Sequence, residues 1–231
     1  MSDAGQNEGG GGARDGDFLL DASEVRVLAV LAEKEALTPD NYPLSLNALT
    51  NGCNQLTSRD PVMSLSEQAV QDVLHGLIQK KLVSEVRQAG ARVVKYEHRM
   101  RMKWALEQDK LAVLAILMLR GVQTAGEVRS RGGRLHDFAS VADVEAGLQF
   151  LIDKYPPLVA RIPRAPGEKE VRYMHLLSGD EIPEKSLDGG ASAAEVPRSD
   201  RIGQLEEEVA RLRAEVERLS EQFDNFRKQF D

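Results

Sequence analysis

Val94-Lys95-Tyr96-Glu97-His98 returns later in the chain as Val171-Arg172-Tyr173-Met174-His175. Upstream of it, Leu74-x-x-Leu77-Ile78-x-Lys80 returns as Leu148-x-x-Leu151-Ile152-x-Lys154. Further upstream, Val27-Leu28-Ala29-Val30-Leu31 returns as Val113-Leu114-Ala115-Ile116-Leu117. Three matches in one order mean that one structural unit occurs twice, with insertions between the matched blocks. A repeat decides the architecture before any local reading does, and this unit is too long for a solenoid repeat. The expectation is two similar small domains in tandem, over residues 18–103 and 104–178, each with its own apolar centre.

Within the first copy, Asp21-x-x-Glu24 has the form of a helix-start capping box. Val25, Leu28, Ala29, Leu31 and Ala32 then recur at helical spacing. Pro39 and Pro43 bound a loop, and Leu46, Leu49 and Cys53 suggest a short second helix. Ser64-x-x-Glu67 is a second capping box, ahead of the stripe Val70, Val73, Leu74, Leu77 and Ile78. After Lys81 the period changes: Leu82–Val86 and Val93–His98 favour extended chain, with Ala89-Gly90-Ala91 as the turn. The order helix, helix, helix, strand, turn, strand is that of a winged helix, whose third helix is the recognition helix and whose hairpin is the wing.

The second copy follows suit. Its helices are expected over Lys110–Arg120, Thr124–Arg131 and Val141–Tyr155, ended by Gly132-Gly133 and Pro156-Pro157 where needed. Its strands are expected over Leu158–Ile162 and Val171–Leu177, with Pro166-Gly167 in the wing. The predicted fold class is therefore α+β, mainly α.

The flanks differ in kind. Residues 1–17, with Gly9 to Gly12 and almost nothing apolar, read as a disordered tail. Residues 179–200, rich in Gly, Ser, Ala, Pro and charge, read as a flexible linker. Residues 201–231 carry a heptad pattern: Ile202, Val209, Val216, Phe223 and Phe230 at a, and Leu205, Leu212, Leu219 and Phe226 at d. Val at a with Leu at d favours a parallel dimer, in which Glu208 faces Arg213 of the partner helix. Self-association through this seam is expected, against the alternative of one amphipathic helix folded back on its own domains.

The chain has 231 residues, 42% of them hydrophobic and 29% charged, which is ordinary for a globular protein. No apolar run approaches a membrane span, and the N-terminus lacks an apolar signal core. With Cys53 as the one cysteine, an internal disulfide is impossible and a reducing cytoplasm is the expected location. The net charge of −7 comes from the flanks: residues 18–103 carry eleven bases and ten acids, and residues 104–180 ten of each. Neutral domains neither demand nor exclude a basic face.

No catalytic constellation emerges, so the expectation is a non-enzymatic protein without cofactor or metal. His98 and His175 are repeat-equivalent, and a catalytic pair is not normally duplicated so symmetrically. Cys53 lies at an apolar helical spacing and reads as a buried thiol. Gly132-Gly133 lacks the lysine and strand context of a phosphate loop.

Binding chemistry is more informative. The first copy's third helix is expected to show Gln68, Gln71 and His75 to solvent, and glutamine can bond adenine edges in a major groove. Glu67 and Asp72 on the same helix would repel phosphates. Arg59, Lys80, Lys81, Arg87, Arg92 and Lys95 surround it, and Arg99, Arg101 and Lys103 continue the charge into the connection between the copies. The second copy's third helix exposes Asp143, Glu145, Gln149 and Asp153, an acidic surface. The motif Asn54-Gln55-x-x-Ser58-Arg59-Asp60-Pro61 has two readings. Asn54, Gln55 and Arg59 face a nucleic acid or peptide; or Asn54 and Asp60 brace an irregular loop while Arg59 pairs with an acid.

Tyr42-Pro43-Leu44-Ser45-Leu46-Asn47-Ala48-Leu49, Cys53-Asn54-Gln55 and Ser58-Arg59-Asp60-Pro61-Val62-Met63-x-Leu65-Ser66-Glu67 together resemble the YceH-like family of bacterial proteins. The resemblance covers roughly residues 18–178, and the Gly-rich N-terminus departs from it. It implies the tandem winged-helix fold that the repeat indicates, and no activity. Two functions follow as expectations. One is a DNA-binding, transcription-regulator-like protein acting on double-stranded DNA. The other is a protein–protein adaptor, the role of tandem winged-helix subunits in bacterial chromosome-organising complexes.

Overall fold

Asp21 opens the first helix as its capping box requires. Its carboxylate accepts from the Ser23 and Glu24 N–H groups at 2.7 and 2.8 Å, and Glu24 accepts from the Asp21 N–H at 3.0 Å. The computed structural model describes residues 19–87, 93–164 and 170–181. The tail over 1–17, most of the linker, both wing turns, Arg92 and the heptad seam from Ile202 to Phe230 lie outside the described residues.

The elements are α1 (Ala22–Leu37), β1 (Leu44–Ser45), α2 (Leu46–Cys53), α3 (Glu67–Gln79), β2 (Val83–Val86), β3 (Lys95–His98), α4 (Met100–Trp104) and α5 (Gln108–Arg120). They continue as β4 (Gln123–Thr124), α6 (Ala125–Gly132), α7 (Val141–Ile152), β5 (Val159–Ile162) and β6 (Arg172–His175). About half of the described residues are helical, and the strands form two small antiparallel sheets. The fold is α+β and mainly α.

The two halves share one topology. The first sheet has the order β1-β3-β2 and the second β4-β6-β5. Tyr96 in β3 lies opposite Leu44 and Glu85; Tyr173 in β6 lies opposite Gln123 and Arg161. Both rings are buried. The pentapeptide repeat is thus a repeat of position, with each tyrosine in a central strand.

The middle turns of α1 and most of α5 are apolar on every side. Val27 to Leu31 and Leu111 to Leu117 are at most 2% exposed. A surface helix keeps a wet face; a helix apolar all round is enclosed by partners. Here α1 packs on α2, α3 and β3, α5 packs on α6, α7 and β6, and the two pack on each other. The separate apolar centres expected from the repeat are therefore one continuous centre, with α1 and α5 along its middle. Hydrogen bonds reinforce the union: the Leu20 N–H donates to the Leu177 carbonyl, and the Asp60 N–H to the Leu119 carbonyl, both at 2.8 Å.

Local boundaries differ from expectation for identifiable reasons. The cap of α3 is Ser66, whose Oγ accepts from the Ala69 N–H, so Ser64 lies outside the helix. Glu67 is then the first helical residue and accepts from Asn47 Nδ2 at 2.9 Å. Helix α7 ends at Ile152 with Asp153 as its cap, short of Tyr155, whose own backbone Pro156 steers away from helix. The connection after β3 contains α4, five residues long. Strands β1 and β4, two residues each, had no periodicity to reveal them.

Candidate functional site

The loop after α2 resolves its two readings inward. The Arg59 side chain is fully buried. It donates Nη2 to Glu33 Oε2 at 2.6 Å and Nη1 to Glu33 Oε1 at 3.2 Å, a forked pair. Its Nε and Nη2 also reach the Gly52 carbonyl, and Nη2 reaches Gln55 Oε1 at 2.8 Å. Asn54 closes a reciprocal clasp on Leu65, donating Nδ2 to its carbonyl and accepting its N–H, both at 2.8 Å. Arg26, also buried, donates to the Cys53 and Pro61 carbonyls. Arg120 on α5 donates to Ser58 Oγ at 2.5 Å. Asn54, Gln55 and Arg59, expected as candidate contacts, are thus internal braces. Burial pushes the neighbouring Cys53 thiol up to about 12, which suits an inert packing residue and not a nucleophile.

The exposed side of α3 carries Gln68, Asp72, His75 and Gln79, with Gln71 half-buried. Gln68 donates to Asp72 at 2.9 Å, so this glutamine is engaged along its own helix. Most of the expected phosphate anchors are engaged as well. Lys80 binds both Glu24 oxygens at 2.7 Å, Arg101 reaches Glu35 at 2.9 Å, and Arg87 lies 3.3 Å from Glu85. Lys95 is half-buried in the central strand, opposite Ser45 and Val86. Gln68, Gln71 and His75 do share α3, with Arg87 and Lys95 on the adjoining hairpin.

The repeat-equivalent histidines have different surroundings. His98 Nδ1 accepts the Met100 N–H at 3.2 Å and Nε2 lies 3.2 Å from Glu35 Oε2. The His98 hydrogen bond, with Arg101, holds the Glu35 carboxyl down at about 2, against the opposing effect of burial. His175 Nδ1 is buried without a partner, and burial lowers that imidazole to about 4. Among the described residues no group of three or more His, Cys, Asp or Glu is placed to hold a metal ion. No described helix is long and apolar enough to cross a membrane.

Two surface grooves went unforeseen. The first, about 410 Å³, lies where α3 ends against β2 and α4; Ile78, Lys81, Val83, Ser84, Arg99, Met102 and Lys103 line it. The second, about 280 Å³, lies between the starts of α6 and α7 and strand β6. Ala125, Val141, Val171 and Tyr173 supply its apolar surface, and Glu145, Arg164 and Glu170 its charges.

At the second groove the copies diverge at one contact. Ser45 and Thr124 are equivalent helix caps, as are Ser66 and Ser140. Two residues after the first pair stand Asn47 and Gly126; one residue after the second stand Glu67 and Val141. In the first copy Asn47 bonds Glu67 across the cleft. In the second, Gly126 and Val141 cannot bridge, and Val141 is 39% exposed. Aligning the copies cap to cap exposes this difference in the bare sequence.

The family model described as "Protein of unknown function, DUF480" matches residues 20–168. A UPF0502 protein of Janthinobacterium sp. (strain Marseille) is 67% identical over 211 residues, covering 91% of each chain. A UPF0502 protein of Herminiimonas arsenicoxydans is 70% identical over 195 residues, covering 83% of this chain and 82% of that one. A UPF0502 protein of Azoarcus sp. is 56% identical over 200 residues, covering 86% of this chain and 88% of the relative.

Proposed function

The chain belongs to the DUF480 family of bacterial proteins, and from that footing we propose that it is a non-enzymatic adaptor built from two tandem winged helices. In this reading α3 and α7 are the third helices, and the β2–β3 and β5–β6 hairpins are the wings. The second copy receives a protein partner in the groove between α6, α7 and β6. One observation carries the reading: the Asn47–Glu67 bridge is replaced by Gly126 and Val141, which leaves an open cleft with apolar walls and a charged rim. Such a cleft suits an apolar side chain of a partner segment flanked by polar residues. The acidic residues Asp143 and Glu145 on α7, with Asp153 at its C-terminal cap, disfavour nucleic acid there.

The test rebuilds the bridge. A Cβ at Gly126 meets only Thr124 Oγ1, at 3.8 Å, so the position has room for the first atom of a side chain and Gly126→Asn is the substitution to make. The double variant Gly126→Asn/Val141→Glu copies the first half's contact into the second. Affinity capture from nuclease-treated native lysate should return a partner with the wild type and lose it with the double variant. Equal capture by both proteins refutes the groove as the docking site.

A DNA-binding reading through the first copy is favoured by the exposed Gln68, His75 and Gln79 on α3, beside Lys81. It requires duplex affinity that falls steeply with added salt, as counterions are released with each phosphate contact. Absence of duplex binding at low salt eliminates it. Homodimerisation through the heptad residues Ile202 to Phe230 belongs to the same proposal and would present two grooves at once. Equilibrium sedimentation with and without residues 201–231 tests it; a mass per particle of one chain in both cases refutes it.

A further inference from the structure

Helix α3 ends in a motif that normally closes on glycine. The Leu82 N–H donates to the Leu77 carbonyl at 2.9 Å and the Lys81 N–H to the Ile78 carbonyl at 3.0 Å. The residue between these bonds occupies left-handed backbone, where a Cβ is disfavoured. Here it is Lys81, with φ 58°. Ala105 closes α4 in the same left-handed backbone with only a methyl group, so the strain at Lys81 counts here only together with what its side chain lines. The helix end does not need this lysine for its dipole, because the adjacent Lys80 is there already, tied to Glu24.

The Lys81 side chain lines the first groove. Ile78 and Val83 supply apolar surface, and Met102, 74% exposed, adds a thioether. Lys81, Arg99 and Lys103 line the same space, and no carboxylate does. Ser84 Oγ accepts Arg99 Nε at 2.9 Å and donates to Glu97 at 2.8 Å, which orients the guanidinium. Glu97 stands beside the groove, 3.6 Å from Arg99. An apolar floor under cations complements a molecule with an anionic head and an apolar body. The volume of about 410 Å³ falls in the small-ligand range of roughly 300–1,000 Å³. A bare phosphate would have no use for the floor.

We propose that this groove, walled by Ile78, Val83 and Met102 and lined by Lys81, Arg99 and Lys103, binds a small amphipathic anion, a carboxylate or phosphate monoester on an apolar body. It is independent of the adaptor reading, since none of its residues touches the groove at Gly126 and Val141.

Phenyl phosphate, benzoate, inorganic phosphate and benzyl alcohol are titrated separately into the full-length protein, with calorimetry as the readout. Saturable binding of phenyl phosphate or benzoate is expected, and the tighter of the two identifies the head group. Inorganic phosphate and benzyl alcohol should each bind about tenfold more weakly or worse, lacking one half of the recognition. Lys81→Gly relieves the backbone strain, so its Tm should equal or exceed that of the wild type while amphiphile affinity falls about fivefold or more. Met102→Asp, at an exposed side chain, should also weaken binding by adding a carboxylate. The proposal is overturned if neither amphiphile binds, if inorganic phosphate binds as tightly as phenyl phosphate, if both variants bind as the wild type does, or if Lys81→Gly lowers Tm.

Discussion

Arg59 illustrates why residue type alone does not place a charge. A guanidinium in a polar loop ahead of a helix invites reading as a phosphate contact, yet this one forks onto Glu33 inside the fold. Removing one member of a buried pair strands the other, so Arg59→Ala should lower stability by about 3–5 kcal/mol. Arg59→Lys should fall between, keeping the charge but losing the fork. Urea unfolding measures both, and a loss below about 1 kcal/mol for the alanine variant would contradict the buried pair. His175 gives a pH prediction. Its imidazole stands near 4 when folded, against an ordinary value of 6.5. Between these values the unfolded chain binds the proton more readily, so stability rises with pH across that window. The contribution is fully present above about 6.5, is lost progressively down to about 4, and changes no further below. Glu35, held near 2 by His98 and Arg101, contributes above the ordinary 4.5 and is lost as pH falls from there through about 2. The windows adjoin, so the slope from 6.5 to about 4 reports chiefly on the histidine. Denaturation midpoints of His175→Gln across that window should be nearly flat; an unchanged slope would assign the effect elsewhere.

Elements are held apart or drawn together by single atoms. A Cβ on Gly52 in α2 would lie 2.6 Å from Val30 Cγ1 on α1, closer than real Cβ contacts. The same glycine offers its carbonyl to Arg59. Gly52→Ala must therefore turn the Val30 side chain off its rotamer or displace α2 from α1, and should lower stability by roughly 1–3 kcal/mol, the range for overpacking. Thermal unfolding would reveal it, and a neutral result would mean that α1 yields more easily than its enclosed packing implies. At this scale much was legible beforehand. The repeat placed six of the helices and all four longer strands, because apolar periodicity and capping residues are local signals. Strands β1 and β4 were illegible because two residues have no period; they exist as partners of β3 and β6. The cap of α3 differs from expectation by two residues because Ser64 and Ser66 both precede it and only Ser66 accepts the Ala69 N–H. The site fared worse. Gln68 and His75 are exposed on α3 as expected, but Asn54, Gln55 and Arg59 turned inward. Neither groove was foreseen, since each is formed by segments distant in sequence.

Over the whole molecule, duplication and fusion of the apolar centre are linked. A free winged-helix-sized unit would keep one wet side on its first helix. In this chain the middle of the first helix of each copy is enclosed all round, and the two cover each other. The union extends to the braced loop, where Ser58 and Asp60 of the first copy bond Arg120 and Leu119 of the second. The uninterrupted apolar run from Leu111 to Leu119 already carried this information. An amphipathic helix of an isolated small domain would break such a run with polar residues every third or fourth position. A shared centre makes the halves unfold as one cooperative body. Leu114, fully buried in the middle of α5, is the residue with which to test it. Leu114→Ala should lower stability by about 2–5 kcal/mol, the range for a large-to-small core change. The loss should appear equally in both halves. Native-state hydrogen exchange resolves this, because amides in α1 and α3 and amides in α5 and α7 report on different copies. If exchange accelerates in α5 to α7 while α1 to α3 keep their protection, the halves fold separately and their contact is only a docking of two independent domains.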